Sequence, residues 1–156
     1  MSEFVYYAFP TDPWWMPDKD TADAALAALT RLVPPGPASW RPYEAVRSAD
    51  PQLVDADGNC ADWYCPACGS ALEADAWREA LASESPIRLP GLRARLTCCG
   101  WEGSLNDVEF GTYGSGFARF VLEAPGPREP RLLAEEELAE IATALNHPVR
   151  QALAHY

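Results

Sequence analysis

Hydrophobic positions divide the 156-residue chain into segments with strand or helix periodicity. The aromatic and β-branched run at residues 4–9 predicts a buried strand. Apolar side chains then recur at helical spacing from Ala22 to Val33, which predicts an amphipathic helix. We expect Asp20 or Thr21 to cap this helix and the prolines after Val33 to end it.

A second long helix is predicted from the apolar positions between Leu138 and Leu145, with the glutamates of residues 135–137 in its first turn and Asn146 ending it in the left-handed conformation. Alternating apolar and polar side chains predict strands at residues 92–98 and 117–122. The tail, residues 149–156, fits either a strand or a short helix.

Two other stretches have weaker patterns. Proline and Asp-Gly turn signals dominate residues 34–62, where a strand is expected near 43–46 or near 52–54. Apolar residues at helical spacing from Leu72 to Leu81 predict a short amphipathic helix.

The charge of the chain excludes some classes of partner. The formal net charge is −11, and no basic stripe is present, so we expect no binding to nucleic acid. An acidic surface would instead attract a basic protein partner. No apolar run approaches the roughly 20 residues of a membrane-spanning helix, and the N-terminus lacks a secretion signal. A cytoplasmic protein without membrane contact is expected.

Five cysteines carry the main chemical signal. Residues 65–69 read Cys-Pro-Ala-Cys-Gly, and residues 98–100 read Cys-Cys-Gly. In a reducing cytosol, clustered cysteines are expected to bind metal rather than form disulfides. Two such clusters allow four thiolates to surround one zinc ion as a structural clasp.

The second cluster is less regular than the first. When the two are aligned on their glycines, Leu96 stands where a first cysteine would be, and Cys98 is adjacent to Cys99. Adjacent side chains on extended backbone point in opposite directions. Both sulfurs can therefore reach one ion only if the backbone turns sharply between them.

The sequence allows three arrangements of the fourth metal ligand. One prediction is that Zn²⁺ is bound by Cys65, Cys68, Cys98 and Cys99. In the second arrangement Cys60 supplies the fourth sulfur and Cys98 is a core thiol, and in the third an Asp or His completes the site. Two further hypotheses are an iron–sulfur cluster on the same ligands and a vicinal disulfide between Cys98 and Cys99.

These elements together predict an α+β fold, with a mainly antiparallel sheet, two helices on one face, and a zinc-ribbon-like insertion. The chain is predicted to be a single domain, 1–156, with a zinc-knuckle insertion at about 60–101.

The expected function is protein binding. Only two histidines exist, His147 and His155, both near the C-terminus, and no catalytic constellation is found. The first hypothesis is a zinc-stabilised module that binds a basic protein through an acidic, tryptophan-bearing surface, as an immunity protein binds a basic toxin. The alternative is a thiol-based enzyme or redox sensor that uses Cys98 or Cys60, with the pKa lowered by nearby arginines such as Arg93 and Arg95.

The chain resembles small uncharacterised bacterial proteins with a CPxCG…CCG zinc-binding motif. The resemblance lies in residues 65–69, 97–100, 104–107 and 116–120. The resemblance implies a single-domain cytosolic chain and transfers no activity. Within it, residues 104–107 are expected to form a turn capped through its Ser and Asn side chains.

Overall fold

The computed structural model describes residues 3–54, 56, 63–72 and 92–156 of the chain. Within them the elements follow one another as β1 (Phe4–Pro10), α1 (Lys19–Leu32), β2 (Glu44–Val54), β3 (Trp63–Tyr64), β4 (Ala71–Leu72), β5 (Arg93–Arg95), β6 (Glu102–Ser104), a 3₁₀ helix (Leu105–Asp107), β7 (Glu109–Phe110), β8 (Gly116–Pro125), α2 (Glu135–Leu145) and β9 (Val149–His155).

The largest sheet has four strands in the order β2-β8-β1-β9, and every neighbouring pair is antiparallel. Tyr6 in the central strand β1 lies opposite Ala124 of β8 on one side and Leu153 of β9 on the other. Two smaller sheets, β4-β3-β7 and β5-β6, carry the cysteine clusters at their ends. The described chain therefore has the predicted α+β class.

Both helices pack on one face of the four-stranded sheet. Alternate residues of the central strands point to that face, because successive side chains of a strand lie on opposite sides. They form one buried cluster with the apolar sides of the helices: Tyr6, Ala8, Ala22, Ala25, Leu29, Val33, Phe120, Leu122, Ala124, Leu133, Ile141, Leu145 and Leu153. This arrangement confirms the predicted layer of two helices on one face of the sheet.

Helix α1 begins earlier than the apolar pattern predicts. The N-cap is Asp18, whose Oδ1 accepts a hydrogen bond from the Thr21 N–H at 2.8 Å. That bond holds the pKa of Asp18 below its ordinary value. The prediction of Asp20 or Thr21 as the cap was wrong because Lys19 and Asp20, the first helical residues, are polar and exposed.

Helix α2 ends as predicted, since Asn146 has φ 59° and closes the helix in the left-handed conformation. At its other end, Glu137 accepts two hydrogen bonds from the Arg131 guanidinium, both at 2.7 Å, and one from the Ala134 N–H at 2.9 Å. Together they lower the pKa of Glu137 from 4.5 to about 2. Neither described helix is long and apolar enough to cross a membrane.

The Glu137→Gln variant should lose part of the pH dependence of folding. Because the folded pKa lies below the unfolded one, the carboxylate contributes stability that is complete above about pH 4.5 and is lost as the pH falls toward about 2. Urea unfolding at about pH 6 and about pH 3 should show a smaller difference for this variant than for the wild-type protein. Glu136→Gln, at an exposed neighbour, is the control, and equal behaviour of both variants would contradict the role of Glu137.

Several strand predictions change in the structure. The alternatives at 43–46 and 52–54 are two ends of one strand, β2, whose register shifts between Arg47 and Gln52. The tail forms β9, and β8 contains the predicted strand at 117–122. Leu72, predicted to begin a helix, belongs to β4 instead, and the rest of that predicted helix lies outside the described residues.

Candidate metal centre

The first cysteine cluster forms a tight turn closed by two backbone hydrogen bonds. The Cys65 N–H donates to the Ser70 carbonyl, and the Gly69 N–H donates to the Cys65 carbonyl, both at 2.9 Å. Gly69 has φ +70°, a conformation that costs glycine little because it has no Cβ. Both cysteines of this cluster are thereby held on one turn.

The second cluster repeats that turn. The Leu96 N–H donates to the Trp101 carbonyl at 2.8 Å, and the Gly100 N–H donates to the Leu96 carbonyl at 2.9 Å. Gly100 also has positive φ, at +78°. The two turns therefore have the same backbone hydrogen bonds when they are matched on their glycines. In this match Leu96 takes the place of Cys65, and Cys99 takes the place of Cys68.

This turn explains how two adjacent cysteines reach the same point. The predicted strand 92–98 is wrong at its end, because β5 stops at Arg95 and residues 97–99 form the turn. Cys98 occupies the position of Ala67 in the first turn. The sharp turn that the vicinal pair requires is therefore supplied by the repeated backbone.

The four sulfur atoms lie close together. The Cys65 and Cys99 Sγ atoms are 3.7 Å apart, the Cys68 and Cys98 Sγ atoms are 3.6 Å apart, and all four lie within 4.8 Å of one another. A regular tetrahedron with a Zn–S bond of about 2.3 Å has sulfur–sulfur edges of about 3.8 Å. The separations therefore suit four thiolates around a single ion.

All four of these cysteines are free thiols, so the vicinal disulfide between Cys98 and Cys99 is not formed. The prediction that Cys98 is a core thiol was also wrong, since the residue is exposed and its sulfur lies in the group. No other group of ligand side chains that could hold an ion occurs in the described part of the chain. Cys60 lies outside the described residues.

One of the four cysteines is buried and three are exposed. Cys65 is 1% exposed and packs in an apolar cluster with Trp63, Leu92, Leu96, Leu105, Val108 and Phe117. Trp101 packs against the same cluster. The tryptophans beside the cysteines thus form a local core, as tryptophans near small metal sites commonly do. Cys68, Cys98 and Cys99 face solvent.

The electrostatics of the four thiols differ between the two turns. Hydrogen bonds from the Ser70 hydroxyl and backbone N–H lower the pKa of Cys68 to about 6. Loss of solvation and hydrogen bonds with the other thiols raise the pKa of Cys98 to about 12. The predicted lowering of the Cys98 pKa by Arg93 and Arg95 is therefore wrong in direction. Close thiols resist joint ionisation, and a bound divalent cation removes that penalty.

Asn106 ties the cysteine turns to the four-stranded sheet. Its Oδ1 accepts hydrogen bonds from the Phe117 N–H of β8 and from Arg150 Nη1 of β9, both at 3.0 Å, and its Nδ2 donates to the Thr11 carbonyl at 2.9 Å. The Ser104 hydroxyl accepts from the Asn106 N–H, which confirms the predicted cap through Ser104, whereas the Asn106 side chain, also predicted to cap the turn, makes the contacts above instead. The sequence signal for residues 104–107 indicated a turn but not this junction.

Comparison with models of protein families, with curated proteins and with solved structures finds no match to the chain. The resemblance to small bacterial proteins therefore stays a prediction. The site itself supports a coarser statement, that four cysteines cluster at metal-binding distance in a small α+β protein.

Proposed function

We propose that the chain is a zinc-stabilised protein-binding module in which Cys65, Cys68, Cys98 and Cys99 hold one Zn²⁺ ion. The observation that carries the proposal is the set of sulfur separations of 3.6 and 3.7 Å, with all four atoms within 4.8 Å. Bound zinc would neutralise the thiolates and join the two turns.

Zinc suits the geometry better than an iron–sulfur cluster does. A cluster distributes its four cysteine ligands over several iron atoms, which spreads the sulfurs apart. Here the four sulfurs converge on one point, so a single tetrahedral ion fits. A thiolate tetrad is the usual ligand set of structural zinc. All four coordination positions are then filled by protein, which favours a structural rather than a catalytic role.

Support for a basic partner comes from the outer surface of the helices. Together α1 and α2 carry two aspartates and four glutamates, against one lysine and one arginine. The helices lie side by side, joined by an ion pair of 2.6 Å between Arg31 and Glu140. Three of the six acids are in ion pairs, Asp23 with Lys19, Glu140 with Arg31 and Glu137 with Arg131. The excess acidic charge lies on Asp20, Glu135 and Glu136, and we call the outer sides of the two helices the acidic helix face. Such a field attracts basic proteins and repels nucleic acid.

Aromatic residues contribute less to the proposed surface than the sequence indicates. Among the described residues the exposed large apolar side chains are Trp40, Tyr113 and Tyr156. Trp14, Trp15 and Trp101 are partly buried, and Trp63 is buried. The proposed recognition is therefore mainly electrostatic. One concrete form is an immunity protein of a bacterial cytoplasm, where thiols stay reduced, neutralising a basic toxin.

The metal half of the proposal is tested by metal analysis and thiol titration on protein purified without added metal. We expect one zinc per chain and four thiols, those of the ligands, that react faster after a chelator removes the ion, with Cys60 as the cysteine that binds no metal. Iron in place of zinc would correct the identity of the metal, and absence of metal would overturn the proposal. The alternative, a thiol-based enzyme or redox sensor that uses a cysteine not bound to metal, would then rest on Cys60, because the sulfur of Cys98 lies in the group.

The partner half is tested by capture with immobilised zinc-loaded protein at low salt. A specific basic partner should be retained by the wild-type protein and released by salt. The double variant Asp20→Asn/Glu136→Gln weakens the acidic helix face and should lose most of the capture. Glu102→Gln/Asp107→Asn removes the same charge from two exposed sites elsewhere and should retain it. Equal capture by both variants would contradict recognition through the helices.

A further inference from the structure

We propose that the metal centre is also a redox switch, in which a hydroperoxide joins Cys68 and Cys98 in a disulfide and zinc is released. This inference rests on the proposed function, because it concerns the zinc-bound thiolates. It differs from a sensor built on a cysteine outside the site. The reacting sulfurs are the ligands themselves.

The exposure of the ligands suggests the switch. Only Cys65 is buried, at 1% exposure, whereas Cys68, Cys98 and Cys99 are exposed to solvent. A structural zinc site that is inert to oxidants would be expected to shield its sulfurs. Here three of the four ligand residues lie at the surface, within reach of a small oxidant, and bound zinc would keep their sulfurs as thiolates, the nucleophilic form.

Exposure and distance together favour one pair of sulfurs. The Cys68 and Cys98 Sγ atoms are 3.6 Å apart, and both residues are exposed. The other short pair, Cys65 and Cys99 at 3.7 Å, includes the buried sulfur. Bond formation must shorten the sulfur separation to about 2.05 Å. For Cys68 and Cys98 this needs a shift of under two ångströms between exposed turns, so this pair is the one expected to close.

The chemistry balances with hydrogen peroxide as the oxidant. One of the two thiolates attacks a peroxide oxygen, which breaks the O–O bond and leaves a sulfenic acid and hydroxide. The second thiolate attacks the sulfenic sulfur and expels a second hydroxide, forming the disulfide. Two protons from solvent convert both hydroxides to water. The two sulfurs lose two electrons, the peroxide gains two, and zinc keeps its oxidation state.

The oxidised protein has lost two of its four zinc ligands. Cys65 and Cys99 remain reduced and take up a proton each from solvent once zinc leaves, because two sulfurs hold zinc far more weakly than four. The disulfide still connects the two turns that the ion connected, because Cys68 lies in the first and Cys98 in the second. The local core around Trp63 and Leu92 is not part of the reaction. Reduction by a dithiol should therefore restore the site, which makes the change reversible.

The test uses the zinc-loaded Cys60→Ser chain, which keeps all four sulfurs of the site and removes the fifth. Zinc content is measured first. Hydrogen peroxide is then added while a chromogenic chelator reports free zinc, and disulfides are mapped by mass spectrometry. We expect release of one equivalent of zinc, one disulfide between Cys68 and Cys98, and recovery of zinc binding after dithiothreitol and added zinc. Thr97→Ser, in the same turn, is the matched control and should behave identically.

The outcomes separate this inference from the proposed function. Absence of zinc before oxidation would overturn both. Zinc that is present but retained, under peroxide that oxidises a free thiol in the same tube, would overturn only the switch. A disulfide between other cysteines, or irreversible sulfonic acid without a disulfide, would also overturn it.

Discussion

The Cys65→Ser variant is expected to bind zinc roughly a hundredfold more weakly than the wild-type protein and to loosen both cysteine turns. Structural zinc binding contributes roughly 10–16 kcal/mol in zinc-finger peptides, so one of four thiolates accounts for about 3 kcal/mol, roughly two powers of ten in Kd. Cys65 is the sharpest choice because it is the buried ligand of the group. The measurements are metal content after dialysis and amide hydrogen exchange.

Hydrogen exchange should rise in residues 63–72 and 92–105, where the turns and their small sheets lie, and should change little in the four-stranded sheet. That sheet has its own core with the two helices. Cys60→Ser makes the same chemical change outside the group and is expected to keep zinc. If Cys60→Ser loses zinc while Cys98→Ser keeps it, the fourth ligand is Cys60 and the assignment of Cys98 is wrong.

Addition of a chelator should reproduce the Cys65→Ser result in the unmodified protein. Metal binding is coupled to folding of the segment that supplies the ligands. We therefore expect thermal unfolding to begin at a lower temperature when the chelator is present. Well below that temperature, the rise in hydrogen exchange should again be confined to the cysteine turns. Identical melting curves with and without chelator, in protein shown to lose its zinc, would contradict a structural role for the ion.

Periodicity predicted the main layer well, for a physical reason. The apolar faces from Ala22 to Val33 and from Ile141 to Leu145 contact the same core as strands β1 and β8. Burial against a sheet imposes a period that is visible in the sequence. The start of α1 was missed because the cap Asp18 acts through one hydrogen bond to the Thr21 N–H, and no apolar side chain marks its position.

The metal centre was predictable in part. Residues 65–69 carry a local pattern, but Cys98 and Cys99 can both reach the ion only because Leu96 and Gly100 repeat the hydrogen bonds of the first turn. A pattern of alternation extended through residue 98 gave the wrong conformation there. The backbone bonds that bend the chain are made by peptide groups, which are the same for every residue type. The glycine alignment was the one sequence signal that indicated them.

The second large effect is expected at the junction between the metal centre and the sheet. Asn106→Ala should destabilise the protein by about 2–4 kcal/mol. It removes three hydrogen bonds worth about 1 kcal/mol each, and the partly buried groups that made them each lose one hydrogen-bond partner. Those bonds reach the Phe117 N–H, Arg150 and the Thr11 carbonyl. Asn106→Asp keeps the oxygen that accepts from Phe117 and Arg150 and replaces the donor to Thr11 with a second oxygen, so it should destabilise the protein less than Asn106→Ala. Urea unfolding measures both.

The same variant tests whether the metal centre and the sheet are energetically coupled. Asn106 is not one of the proposed zinc ligands, so the Asn106→Ala variant should still bind one zinc ion. If the junction transmits the stabilisation by zinc to β8 and β9, the chelator should destabilise Asn106→Ala less than it destabilises the wild-type protein. The two losses would then be non-additive, as expected for groups in one network. Strict additivity would mean that the cysteine turns and the sheet are stabilised independently, with zinc acting only on the turns.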